Sequence, residues 1–111
     1  MADVKDDKYY LVKIKDDLGF MLEQMNNKTQ KDFENNPLLI DSMMFRIVQI
    51  AENNEKLTET FKKANSDIPW KAIKGMRNRI VHDYGVIDLT KVYNTLIQSV
   101  PELYEIIKKY V

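Results

Sequence analysis

The chain has 111 residues, 17 basic side chains balanced by 17 acidic ones, one histidine and no cysteine. That length predicts a single domain over 1–111, able to bury about 65% of the surface its unfolded chain would expose without disulfide or metal staples. The missing cysteines exclude disulfides, thiolate catalysis and cysteine-ligated zinc, the single histidine excludes a multi-histidine metal site within one protomer, and the neutral balance excludes a global field that would hold nucleic acid nonspecifically.

The first residues, MADVKDDKYY, have no apolar core of the secretory-signal kind, and no run approaches the ~18 apolar residues of a membrane span. A soluble protein without a membrane partner is expected, with the reducing cytoplasm as its natural compartment. Leu11, Ile14, Leu18, Met21, Leu22 and Met25 recur at three- and four-residue spacing, which predicts a first helix from about Val4 to Asn26. Thr29 and Asp32 have the spacing of a capping box and open a short helix through Phe33, which Asn35, Asn36 and Pro37 end. Asn36 then suits an N-cap and Pro37 a first helical position. Ile40, Met43, Met44, Ile47, Ile50, Ala51, Leu57 and Phe61 extend one face of a long helix over roughly 37–63. Asn54 interrupts that stripe, which more often marks a rim or a helix contact than a ligand site, Met43 and Met44 read as core-fillers, and Arg46 and Glu52 are candidates for an ion pair on this helix.

Pro69 begins the next helix, with Trp70, Ile73, Arg77, Ile80 and Val81 on its repeating face. Gly75 is expected where a neighbouring backbone approaches closely. Asp88 should cap a last helix carrying Leu89, Val92, Leu96, Val100, Leu103 and Ile107, with a kink or break near Ser99 because Pro101 removes a backbone donor. Sustained period-two alternation is absent. The fold class is therefore all-α: an up-and-down bundle of four main helices plus a short one.

Chemistry concentrates in MRNRIVHDY, Met76 to Tyr84. Lys71, Lys74, Arg77 and Arg79 precede His82 with no acid between, giving the histidine a basic neighbourhood that could hold a polyanion, or simply a solvated helix face. Arg77 and His82 are five residues apart, about 140° around an ideal helix. Either the helix loosens near His82, or a two-fold axis sets two such helices together so that each cleft gathers residues from both chains. Asn78 and His82 are four apart and share a side, so Asn78 could fix the imidazole tautomer. Each has a plainer reading: His82 as a helix-end residue bonded to a carbonyl, Arg77 as a packed stem whose head pairs with an acid, Tyr84 as an amphipathic residue with its hydroxyl in water.

The string DIPWKAIKGMRNRIVHDYGVID resembles the signature region of the HepT-like proteins of the HEPN superfamily, whose motif of Arg, four residues, His, any residue, Tyr falls here on Arg77, His82 and Tyr84, with Asn78 after the arginine. The similarity extends to the PEL at Pro101 to Leu103. The N-terminal third matches only in helical pattern. The resemblance implies a helical homodimer and a metal-independent endoribonuclease, commonly the toxin of a toxin-antitoxin pair, whose minimal nucleotidyltransferase partner transfers AMP onto the motif tyrosine, here Tyr84.

Those residues suit that chemistry. Histidine, with an ordinary pKa near ~6.5, is matched to taking a proton from a 2′-hydroxyl. Arginine stays charged and grips two phosphate oxygens, so Arg77 is the candidate clamp, with Asn78 orienting the base or the RNA. Lys71, Lys74 and Arg79 are candidates for RNA phosphate contacts, and no metal or cofactor is expected. AMP on Tyr84 would put charge and bulk in the path of RNA. A reading from another class is a non-catalytic helical module that docks a nucleotidyltransferase or binds a nucleotide.

Overall fold

The computed structural model describes residues 5–111. Helix α1 runs Asp7–Met25, one turn shorter at its start than expected, because the Asp6 side chain caps it by accepting the Tyr9 N–H. Val4, the expected start, lies outside the described residues. After α1 the backbone turns through Asn27 in the left-handed region at φ 61°, which asparagine tolerates better than most residues. Helix α2, Gln30–Glu34, carries the expected capping box: Thr29 Oγ1 accepts the Asp32 N–H at 3.1 Å and Asp32 accepts the Thr29 N–H at 3.0 Å. That N–H, followed by the Thr29 side chain, holds the Asp32 carboxyl below its ordinary pKa.

The long helix expected over 37–63 is broken. Helix α3 is Pro37–Glu55 and α4 is Glu59–Ala64. The cause is a competing set of partners at Thr58, whose N–H and hydroxyl both donate to the Asp7 carboxylate, at 2.8 and 2.7 Å, while its hydroxyl oxygen caps α4 by accepting the Phe61 N–H. The break lets Leu57 turn into the core, where it is buried. Met43 and Met44 are core residues as expected, whereas Phe45 between α3's buried positions is exposed. Arg46 does not pair with Glu52. It reaches Asp17 on α1 at 2.6 Å, with its guanidinium 4.1 Å from the Phe20 ring centre. Six residues separate Arg46 from Glu52, about 120° around the helix, too far for their side chains to meet.

Helix α5 is Lys71–Asp83, with Ile73, Met76 and Ile80 buried and Val81 exposed, so the apolar face is narrower than the sequence pattern suggested. No close approach explains Gly75, since a methyl group there would meet nothing within 4 Å. A short 3-10 turn, Tyr84–Val86, leads to α6, Leu89–Asn94, capped by Asp88 through the Thr90 N–H. A π turn over Thr95–Ser99 joins α6 to α7, Val100–Ile107. Pro101 has no N–H to donate and its ring crowds the carbonyl four residues back, so the chain widens there and Val100 N–H bonds Thr95 O instead. This is the expected irregularity near Ser99.

Among the described residues the fold is all-helical, with no strand. Helix α1 packs on α3 and α7, α3 packs on α5, and α2 rests on α3 and α6. Ile14, Leu18, Met21, Met43, Ile47, Ile50, Ile73, Leu103 and Ile107 form the sealed centre, each contributing about 1.5–3 kcal/mol by leaving water. Among the described residues no helix is long and apolar enough to cross a membrane.

Candidate functional site

The groove between α3 and α5 gathers most of the motif. On α5 and the 3-10 turn that follows it, Arg77, Val81 and Tyr84 follow one another at four- and three-residue steps. On α3, Asp41, Phe45 and Glu52 do the same at four and seven, within about 40° of one line. The two lines meet in opposite order. Glu55 pairs with Lys74 at 3.2 Å, Glu52 with Arg77, and Asp41 with Tyr84, so α3 and α5 run antiparallel.

Arg77 is bound side-on. Its Nε and Nη2 donate to Glu52 Oε1 at 3.2 and 2.7 Å, and Nη1 donates to Asn78 Oδ1 at 3.2 Å. A guanidinium has five N–H donors in a planar fork. Three are engaged here, which leaves one on Nη1 and one on Nη2. Those two donors remain for phosphate oxygens without displacing Glu52. The Arg77 side chain is 32% exposed, so it is neither buried in an ion pair nor loose in water. Around it Ala51, Glu52, Glu55, Lys74, Arg77 and Asn78 line a cleft of about 200 Å³.

His82 lies five residues further along α5, an axial distance of ~7.5 Å, and its side chain is exposed. It does not line the Arg77 cleft. Asn78, expected to hold the imidazole, gives its carbonyl oxygen to Arg77 instead. Tyr84 is exposed and its hydroxyl donates to Asp41 Oδ1. Leu38, Phe45, Val81 and Val86 are exposed apolar side chains on or beside these two lines.

The three remaining basic candidates separate. Lys74 joins Arg77 in the α3–α5 cleft, Lys71 sits with Pro69, Ser99 and Glu102 on the other flank of α5, and Arg79 lies with Lys91 and Asn94 across the open space at Gly75. Glu52 and Asp41 were not singled out from the sequence as members of the site. Their signal was available in the spacing: positions 41 and 52 are eleven apart, three helical turns, so two acids fall on one stripe of a helix whose partner carries arginine and tyrosine seven apart.

Comparisons with known proteins bear on what this site does. Residues 14–110 match the family model described as Ribonuclease HepT-like. A candidate RNase of Caldanaerobacter subterraneus subsp. tengcongensis is 27% identical over 106 residues, covering 96% of this chain and 95% of that protein. A Methanocaldococcus jannaschii protein named as a gamma-glutamylcyclotransferase and candidate RNase is 31% identical over 95% of this chain, which spans 47% of its length. A protein of Thermococcus cleftensis carrying the name of a candidate ribonuclease HepT is 28% identical over 49% of each chain. No solved structure gives a significant match. By the match over residues 14–110, the chain belongs to the HepT-like ribonuclease family.

Proposed function

We propose that the chain is a metal-independent RNA endonuclease of the cytoplasm, acting as the toxin of a toxin-antitoxin pair, and that it works as a two-fold dimer. The observation that carries the reading is the state of Arg77: oriented by Glu52, partly exposed, with two of its five donors unengaged beside Lys74. In this reading His82 takes the proton of a 2′-hydroxyl, the freed oxygen attacks the adjacent phosphorus, and the 5′-oxygen leaves with a proton from water. A 2′,3′-cyclic phosphate results. The charge that builds on the non-bridging oxygens falls on Arg77. Glu52 is a positioning residue for Arg77, and Asn78 holds the guanidinium from its other side. Lys71, Lys74 and Arg79 would meet RNA phosphates away from the reacting bond, from more than one flank of α5.

The dimer is supported by the divergence of Arg77 and His82 around α5 and by the exposed Val81, Phe45 and Leu38 beside them. A second copy covering that face would bury apolar surface and bring one chain's histidine to the other's arginine. Tyr84 is the acceptor of AMP from a minimal nucleotidyltransferase antitoxin, with Asp41 holding its hydroxyl. The new phosphodiester would stand beside the Asp41 carboxylate and compete for Arg77.

Mixing inactive chains tests the shared cleft. Arg77→Ala and His82→Ala chains, each inactive alone, should recover about a quarter of wild-type cleavage when combined, because half the dimers are mixed and each has one intact site of two. No recovery, with mixed dimers demonstrated by sedimentation or mass spectrometry, contradicts the shared site. The exposed Leu38, Val81 and Val86 around Tyr84 favour a second reading, a docking module for a nucleotidyltransferase without cleavage of its own. That reading requires purified chain, free of contaminating nuclease, to leave RNA intact.

A further inference from the structure

We propose that the cavity around Trp70, between α3, α4 and α5, seats a base of the RNA substrate, with Trp70 as its stacking platform and Asn54 as its polar contact. The proposal rests on the ribonuclease reading of Arg77 and His82 and adds a specificity subsite to it. The cavity measures about 170 Å³, and Asn54, Phe61, Lys62, Asn65, Trp70 and Lys74 line it. Lys74 lines the Arg77 cleft as well, so the two spaces adjoin along α5. Seven residues separate Trp70 from Arg77, ~10.5 Å along the helix axis, which an extended strand covers in about one or two nucleotide steps.

Three features give the cavity the character of a base site rather than a packing gap. Trp70 and Phe61 are both half-buried and offer aromatic surface on its wall, with Phe61 held by an edge-on contact to Tyr110 at 5.6 Å. Stacking of a base on such a surface contributes severalfold in affinity. Second, Asn54 is 2% exposed and its Oδ1 has no hydrogen-bond partner among the described residues. An unpaired buried acceptor is costly, and no hydrogen bond at the oxygen holds the Asn54 amide in its present orientation. The oxygen is enclosed as it stands, so occupation requires the amide to turn about its Cβ–Cγ bond, a broad torsion with no strong preference. Third, the side chains of Lys62 and Lys74 line the cavity. Lys62 donates to the Glu55 carbonyl at 3.2 Å and lies 3.8 Å from the Glu59 carboxylate, and Lys74 pairs with the Glu55 carboxylate at 3.2 Å. Each ammonium has three donors, which leaves capacity for a phosphate.

An acceptor at Asn54 favours bases with an exocyclic amino group, namely adenine, cytosine and guanine, over uracil, whose one imino N–H lies between two carbonyl oxygens. Trp70 is the only tryptophan in the chain, so its emission reports on this cavity alone. The test titrates His82→Ala chain, which should bind RNA without cutting it, with end-labelled oligo-A, oligo-C and oligo-U hexamers, following label anisotropy and tryptophan fluorescence together. The expected result is saturable quenching of Trp70 at the same midpoint as the anisotropy change. Oligo-A and oligo-C should bind about 5-fold or more tighter than oligo-U, the equivalent of one net hydrogen bond. Trp70→Leu, if folded by circular dichroism, should weaken binding about 5- to 150-fold. Binding by anisotropy with unchanged Trp70 emission overturns the subsite, and needs no Trp70 variant to do so. Equal affinity for all three oligomers removes Asn54 from it. No binding by the variant and no cleavage by wild type would instead overturn the ribonuclease reading and the subsite with it, whereas cleavage by wild type with silent Trp70 emission overturns the subsite alone.

Discussion

Replacing Glu52 by glutamine removes the charge that orients Arg77 while keeping the side chain's shape. In the native protein one Glu52 oxygen accepts from Arg77 Nε and Nη2, at 3.2 and 2.7 Å, between side chains 44% and 32% exposed. Hydrogen bonds to charged groups contribute about 1.5–3 kcal/mol when sheltered, and solvent screening at this exposure reduces that to about 1 kcal/mol. The melting temperature of Glu52→Gln should accordingly fall by about 4 °C. Activity should fall further than stability. A guanidinium free to rotate presents its unengaged donors to phosphate only part of the time, and loss of positioning of this kind costs about 10- to 100-fold in the chemical step. Single-turnover cleavage of a short RNA at saturating enzyme measures that step. The drop should appear in the rate constant, with RNA affinity unchanged or slightly higher, because one negative charge has left the cleft. Wild-type rate in a folded Glu52→Gln would show that Arg77 needs no such support. A faster rate would make Glu52 a restraint on Arg77 rather than its positioning residue.

Tyr84→Phe should keep the fold and the cleavage rate and lose all response to a nucleotidyltransferase partner with ATP, and mass spectrometry of wild type should find AMP on the peptide containing Tyr84. Modification elsewhere, with Tyr84→Phe still silenced, removes that assignment. Asp7→Ala should destabilise the protein by about 1–2 kcal/mol through loss of both bonds to Thr58, and hydrogen exchange should rise in α4 while α3 stays protected. Asp32 sets a pH dependence: its pKa is lowered in the folded state, so its contribution is fully present above the ordinary carboxylate range and disappears as pH falls through the folded value. The stability gap between wild type and Asp32→Asn should therefore be constant near neutrality and close in acid, and a gap that widened in acid would contradict the capping-box geometry.

What was legible in the sequence was whatever depends on local chemistry. The Thr29–Asp32 box, the Asn36–Pro37 start of α3, the Asp88 cap and the irregularity before Pro101 each need only a few neighbouring residues to specify them, and each is present. The break at Thr58 was hidden because its cause is Asp7, 51 residues away. Gly75 misled for a similar reason, since a glycine facing open space and a glycine under a packed backbone look alike in sequence. Within the site, the motif named Arg77, His82 and Tyr84 but not what holds them. Glu52 and Asp41 lie on another helix, and only the antiparallel pairing of α3 with α5 brings them opposite Arg77 and Tyr84. The basic residues show the converse: Lys71, Lys74 and Arg79 are close in sequence yet face three different spaces around α5.

The central claim is that Arg77 and His82 cleave RNA through its own 2′-hydroxyl, and the chemical form of the cut ends tests it most directly. Purified chain incubated with a defined RNA in excess chelator should yield fragments ending in 2′,3′-cyclic phosphate, identified by mass spectrometry, and should leave the matching RNA with a 2′-deoxy residue at the cut position intact. Fragments ending in a 3′-hydroxyl, cleavage of the deoxy-substituted strand at the same bond, or activity that chelator abolishes and magnesium restores would contradict it.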